Sequence, residues 1–280
     1  LKRSIIGLVL VALIGLTATS TRGSAQSKSA AVATLRLYVF DCGTLLNRDP
    51  SAYDLTREQV GVSDLSDPCF LVVHPRGTLL WDTGIDEVVA NRAERFRKDR
   101  MDRPLSVQLA EIGYRPADIT FLALSHLHGD HAGNANAFAG STWIVQKTER
   151  DYMFSAGLPP NINPKEFEAL KNSKTIVATG DHDVFGDGAV VLLSTPGHSP
   201  GHQSLFVRLA STGPVVLTGD LYHYPAERTF DKLPKADVQE QTRASRARVE
   251  AFLKKTGAML WIQHDIVANA KLKKAPTYYE

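Results

Sequence analysis

The sequence predicts an α+β fold made of two strand-rich halves, each closed by helices. Three observations carry this expectation. Apolar runs of strand length recur along the chain, separated by Gly, Pro and Asn turn residues. Helical stretches fall between and after them. The long apolar strands end abruptly in polar signatures that hold most of the histidines.

With 280 residues, 43% of them hydrophobic, and a formal net charge of +2, the chain can bury a sizeable core. No basic stripe interleaved with aromatics runs through it, which argues against a nucleic-acid partner. Lys2 and Arg3 precede the apolar run Ile5 to Leu16, followed by small and polar residues up to Ala25. This pattern reads as a secretory signal peptide over 1–25, then a linker over 26–33 and a folded domain over 34–280. About a dozen apolar residues fall short of the roughly twenty that span a bilayer, so no stable membrane insertion is expected after cleavage. The mature protein is expected in the periplasm or outside the cell. Export would allow Cys42 and Cys69 to pair, although both sit in apolar strand-edge contexts where buried free thiols fit equally well.

Taken in order, Leu35 to Phe40 alternates as a strand with one face in a core, and Asn47 to Asp67 is polar and irregular, a loop crossing near a site. Cys69 to His74 and Thr78 to Trp81 flank Pro75-Arg76-Gly77, a hairpin signal, and Asp82-Thr83-Gly84 follows. Asp86 to Lys98 and Leu105 to Ile112 read as helices, the second stopped by Gly113. Ile119 to Leu124 is a buried strand. A helix over Ala132 to Phe138, a strand over Thr142 to Gln146 and a helix over Glu149 to Phe154 come next. The Pro- and Asn-containing excursion from Gly157 to Lys174 is a candidate lid or pocket wall. Strands are expected over 175–178, 183–185, 189–193, 204–209 and 215–218. A helix over 237–255 follows, with Val238, Thr242, Ser245, Val249 and Phe252 on one face, then a strand over 258–262. The basic tail after Ala270 reads as surface.

Chemistry concentrates in Ser125 to Gly133, SHLHGDHAG, directly behind a buried strand. In extended backbone, side chains two apart point the same way, so His126 and His128 can grip one ion while Leu127 turns into the core. Asp130 and His131, beyond Gly129, can face a second. Imidazoles with a carboxylate suit zinc, and iron, manganese or cobalt accept the same ligands. Three later strand ends carry further candidates, in Thr195-Pro196-Gly197-His198, Thr218-Gly219-Asp220 and Gln263-His264-Asp265.

HLHGDH followed by TPGHSPGHQS, TGD and a late histidine after a strand resembles the metallo-β-lactamase superfamily over most of the mature chain. The resemblance implies an αββα sandwich of two mixed β-sheets flanked by helices. It further implies that His126, His128 and His198 hold one metal, that Asp130, His131 and His264 hold another, and that Asp220 bridges them. The DCG after the first strand and PGHSPGHQSL are most similar to the N-acyl homoserine lactone lactonases, the quorum-quenching enzymes. Many of those carry a tyrosine three residues after the bridging aspartate. Here that residue is His223, with Tyr222 before it, and both are candidate donors to a substrate oxygen. His202 is expected to hydrogen-bond near the ligands, and His74 and His182 to be structural or surface residues in turns.

The implied reaction is lactone hydrolysis: hydroxide between two divalent cations attacks the carbonyl, and Asp130, ligand and acid/base at once, carries a proton to the leaving alkoxide. The partner is a small molecule, an acyl lactone, and a homodimer is compatible with the sequence. Other electrophiles fit the same chemistry: a β-lactam, a thioester or a phosphotriester. Asp220 argues against a principal β-lactamase, because true members of that class generally lack the bridging carboxylate. A metal-binding exported protein without turnover is the alternative outside enzymes.

Overall fold

The computed structural model describes residues 1, 34–87 and 99–280. The expected signal peptide beyond Leu1 and the whole of the linker lie outside the described residues, as does the Asp86 to Lys98 helix beyond Glu87. Among the described residues no helix is long and apolar enough to cross a membrane.

The first sheet begins with β1 (Arg36–Leu45), a short α1 (Arg57–Val60), β2 (Leu65–His74), β3 (Gly77–Trp81) and β4 (Asp99–Arg100). It continues through α2 (Leu105–Glu111), β5 (Phe121–Ala123), α3 (Gly129–Ala132), β6 (Thr142–Gln146), α4 (Lys147–Met153) and β7 (Thr175–Ala178). The second sheet holds β8 (His182–Asp183), β9 (Val190–Ser194), β10 (Gln203–Leu209) and β11 (Gly213–Leu217). After α5 (Pro225–Thr229) and α6 (Gln239–Thr256) it is completed by β12 (Met259–Trp261). A short α7 (Ile266–Asn269) and β13 (Tyr278–Tyr279) close the chain.

Strand order is β13-β1-β2-β3-β5-β6-β7 in the first sheet, with β4 on β1, and β12-β11-β10-β9-β8 in the second. The first is antiparallel through β3 and parallel from β3 to β7, while only the β11–β12 pair is parallel in the second. Both sheets are therefore mixed.

Period-two alternation explains the layering. Leu37, Val39, Phe70, Val72, Leu79 and Trp81 turn toward the second sheet, where Leu192, Leu205, Val207, Val215 and Leu217 meet them. Their neighbours Tyr38, Phe40, Leu71, Val73 and Leu80 face the other way, onto Leu105, Leu109, Phe138 and Met153. On the outer side of the second sheet, Phe206 and Val216 pack against Val249 and Leu253 of α6. The result is the expected αββα sandwich. With both faces covered, β2 is buried along all ten of its residues.

Several local expectations are corrected. β1 continues to Leu45, because an irregularity between Asp41 and Thr44, at the positive-φ Gly43, lets the strand bend without ending. The irregular stretch after it contains a 3-10 turn over Pro50–Tyr53, α1 and the first residues of β2. No continuous helix spans Ala132 to Phe138: the N–H groups of Gly133 and Asn134 go to Gly84 O and Thr83 Oγ1, which takes them out of a helical ladder. Val238, just before α6, is exposed, and Arg246 lies on the buried face of α6 because the carboxylate of Glu227 draws it in. A buried arginine is invisible to an apolar period. His74 is not in a turn but at the buried end of β2, stacked on Phe185 and bonded to Asp187. The tail returns as β13, where Tyr278 packs on Tyr38 and Tyr279 on Trp261.

Cys42 and Cys69 form a disulfide between β1 and β2, resolving the open alternative in favour of pairing.

Candidate metal centre

The polar signatures converge at one end of the sandwich. His126, His128, Asp130 and His131 come from the loop and the single helical turn after β5, in the first sheet. His198 follows β9, Asp220 follows β11, and His264 follows β12, all in the second sheet. Leu127 is buried between two ligand-type residues, as strand-like alternation requires.

Two groups form. In the first, His126 Nε2 lies 2.8 Å from His128 Nδ1, which lies 3.0 Å from His198 Nε2. Asp220 Oδ2 faces this group, 3.6 Å from His126 Nε2 and 3.2 Å from His198 Nε2. In the second group, Asp220 Oδ1 lies 2.9 Å from both His131 Nε2 and His264 Nε2, and Asp130 Oδ2 lies 3.7 Å and 3.8 Å from the same nitrogens. One carboxylate thus turns a different oxygen to each group.

Whether these residues suit cations can be judged from their hydrogen bonds. The far nitrogens of four imidazoles are engaged: His126 Nδ1 with Ser125 Oγ, His131 Nδ1 with Asp82, His198 Nδ1 with Asp237 and His264 Nδ1 with the carbonyl of Ser66. Such partners fix the tautomer and leave each Nε2 lone pair aimed into the cluster. His131 Nε2 and Asp220 Oδ1 are buried and close, yet neither makes a hydrogen bond. Buried polar atoms left this way are costly. Converging lone pairs, a neutralising carboxylate and unbonded buried atoms fit two divalent cations.

Surrounding side chains brace the centre. Asp82, at a positive φ after β3, accepts from Ser125 N at 2.6 Å and from Gln263 Nε2 at 3.0 Å as well as from His131. Glu149 accepts from the N–H groups of Leu127 and Gly201 and from Ser199 Oγ, tying the loop of His126 to the loop of His198. Burial pushes its carboxyl above the usual range. His202 does not join either group. Its Nε2 accepts the N–H of Asp220 at 2.9 Å, and burial, with His198 nearby, holds it neutral with a pKa down at about 3. Gly219, at φ +54, admits this contact, because a Cβ there would stand 2.7 Å from that same nitrogen.

The two candidates after Asp220 separate. Tyr222 is in extended backbone, and the two side chains reach different partners, Glu250 for Tyr222 and Asp220 for His223. The Tyr222 phenol bonds Glu250 beneath the Arg246 guanidinium and is not brought together with the histidine groups. His223 faces the centre, with Nε2 3.0 Å from Asp220 Oδ2 and Nδ1 3.5 Å from Glu227 Oε1. Burial alone would lower its pKa, and these carboxylates instead carry it to about 10.

Above the cluster opens a cavity of about 510 Å³, lined by His128, Asp130, His223 and His264 at its floor and by Tyr53, Ile85, Ile162 and Pro234 among its walls. Asn161, Ile162 and Glu166 bring the excursion of residues 157–174 into that wall, as expected. Sequence reasoning missed Asp82, Glu149, Asp237 and Tyr53. The signal for Asp82 was its place in a polar triplet directly after a strand; the others lie on elements remote from the motifs.

The model of the metallo-beta-lactamase superfamily matches residues 63–264. The N-acyl homoserine lactonase AttM of Azorhizobium caulinodans is 30% identical over 266 residues, 88% of this chain and 99% of its own length. The N-acyl homoserine lactonase AiiA of Bacillus thuringiensis subsp. kurstaki is 33% identical over 228 residues, 75% of this chain and 85% of its own. A solved N-acyl homoserine lactone hydrolase, holding the product N-hexanoyl-L-homoserine at its catalytic metal centre, superposes with a TM-score of 0.74 at 29% identity, covering 88% of this chain and 99% of that one. With its strand-end histidines gathered around one two-faced aspartate, the chain belongs to the metallo-beta-lactamase superfamily and is similar over most of its length to the superfamily's N-acyl homoserine lactonases.

Proposed function

We propose that the protein is a metal-dependent hydrolase that opens the ring of N-acyl homoserine lactones. Two divalent cations, zinc foremost, would be held by His126, His128 and His198 on one side and by Asp130, His131 and His264 on the other, with Asp220 between. The observation that carries this reading is the division of Asp220, whose two oxygens face separate histidine groups. Bound there, the cations would supply Lewis acidity toward the ester oxygens and a nucleophile from water at neutral pH.

The chain's own residues do the rest. Asp130 is the carboxylate of the cluster with the greatest access to the cavity, its side chain 21% exposed against 4% for Asp220. It can take a proton released as water attacks and return it to the leaving oxygen of the opened ring. Glu227 accepts the N–H groups of His223 and Tyr224 and is paired with Arg246, which fixes the segment after Asp220. His223 holds Asp220 Oδ2 in turn. Leu65, Ile85 and Ile162 line the cavity and would offer an apolar surface to the acyl chain of a bound ester.

The leader over 1–25 belongs to the same proposal, as an export signal delivering the enzyme to an oxidising compartment. The Cys42–Cys69 disulfide supports it, since such bridges persist mainly outside the cytosol.

The test is hydrolysis of lactones of different acyl length, alongside a β-lactam and a phosphotriester, by zinc- and cobalt-loaded protein. Acyl homoserine lactones are expected to give the highest kcat/KM. A preference for a non-lactone overturns the proposal.

A further inference from the structure

One wall of the cavity is built by the turn after β1, and its aromatic side chain is Tyr53. The Tyr53 ring lies 4.5 Å from the His223 ring, and His223 is stacked on His264 at 5.5 Å and 14°. An aromatic column therefore runs from the wall down to the metal-ligand cluster. The turn is held firmly. Asp49 caps it through Ser51, Asp54 pairs with Lys232 at 2.8 Å, and Ala52 O accepts the N–H of Lys235 at 2.8 Å. Tyr53 is thus presented by a fixed wall, as a preorganised donor must be.

The phenols nearby are accounted for differently. Tyr222 donates to Glu250 and Tyr224 donates to the carbonyl of Ser63. The Tyr53 hydroxyl has no hydrogen-bond partner among the described residues, although its ring lines the cavity shared by Asp130 and Asp220. His223 cannot easily fill the donor's place, because both of its nitrogens face carboxylates, Asp220 and Glu227, and its ring contacts Tyr53 and His264. It serves as a platform for the Tyr53 ring.

We propose that Tyr53 is a catalytic residue whose phenol donates a hydrogen bond to the carbonyl oxygen of the bound ester as negative charge develops there. This rests on the lactonase reading of the site. No covalent step passes through the phenol, and its proton stays on its oxygen. A donor aimed at developing charge acts on the transition state more than on the bound substrate, so its removal falls on kcat.

Tyr53→Phe keeps the ring on His223 and removes only the O–H. In zinc-loaded enzyme, kcat for an acyl homoserine lactone is expected to fall about 10- to 100-fold while KM stays within about twofold. Metal stoichiometry and Tm are expected to match the unsubstituted protein. Unchanged kcat overturns the proposal, and so does a loss carried by KM alone, which would place the phenol on a remote part of the substrate. The unsubstituted enzyme run in parallel separates the two readings. If it opens no lactone, the proposed function fails, and the Tyr53 comparison is made on the ester it does hydrolyse, where the same loss in kcat is expected.

Discussion

The carboxylate of Asp82 accepts the Nδ1–H of His131 at 3.0 Å, in a place where neither side chain meets solvent. The same oxygen accepts from Gln263 and the other from the N–H of Ser125, so one side chain ties the loop of His126 and His131 to the loop of His264. Asp82→Asn retains the size but puts an amide donor among three donors. Metal affinity is expected to fall about 10- to 100-fold, read by competition with a chelator. Retention equal to the unsubstituted protein would show that His131 needs no such support.

Asp220→Ala removes the side chain that faces both histidine groups. Metal content and lactone hydrolysis are expected to fall together. A variant with a full metal complement and unchanged hydrolysis would contradict the bridging role.

The neighbours Tyr222 and His223 should behave oppositely. His223→Phe keeps a ring beneath Tyr53 but loses the contact with Asp220, and turnover is expected to fall about 10- to 100-fold with metal retained. Tyr222→Phe loses only a partly exposed bond to Glu250, and its kinetics should match those of the unsubstituted enzyme. Equal losses in the two variants would mean that the segment acts through its packing alone.

The disulfide closes a stretch with a sequence separation of 27. Replacing both Cys42 and Cys69 by Ala is expected to lower stability by about 2–4 kcal/mol, measured by urea unfolding of the metal-loaded protein. A change under about 0.5 kcal/mol would argue that the thiols are unpaired in solution, as an order-of-magnitude threshold.

Much of this centre is legible from the chain because a parallel or mixed sheet delivers its strand ends to one edge. A histidine immediately after an apolar run is therefore already placed. That logic finds His126, His198, Asp220 and His264. It does not find Glu149, which reaches the centre from α4, or Asp237, which reaches His198 from the approach to α6. Those contacts arise only when the loops fold over one another. Tyr222 and His223 show a finer limit, since which of two adjacent side chains turns inward depends on the backbone angles after Asp220. The pairing of β13 with β1 escaped for a related reason: a two-residue strand has no period to read.

Each ligand group draws on both sheets: His126 and His128 with His198 and Asp220, and Asp130 and His131 with His264. A fragment ending after β7 would own four of the seven side chains and complete neither set. Cation binding is consequently a report on assembly, because it rewards only the chain in which both sheets have closed. The centre acts as a clasp as well as a reagent, and metal starvation should loosen the seam between the sheets before it disturbs either one.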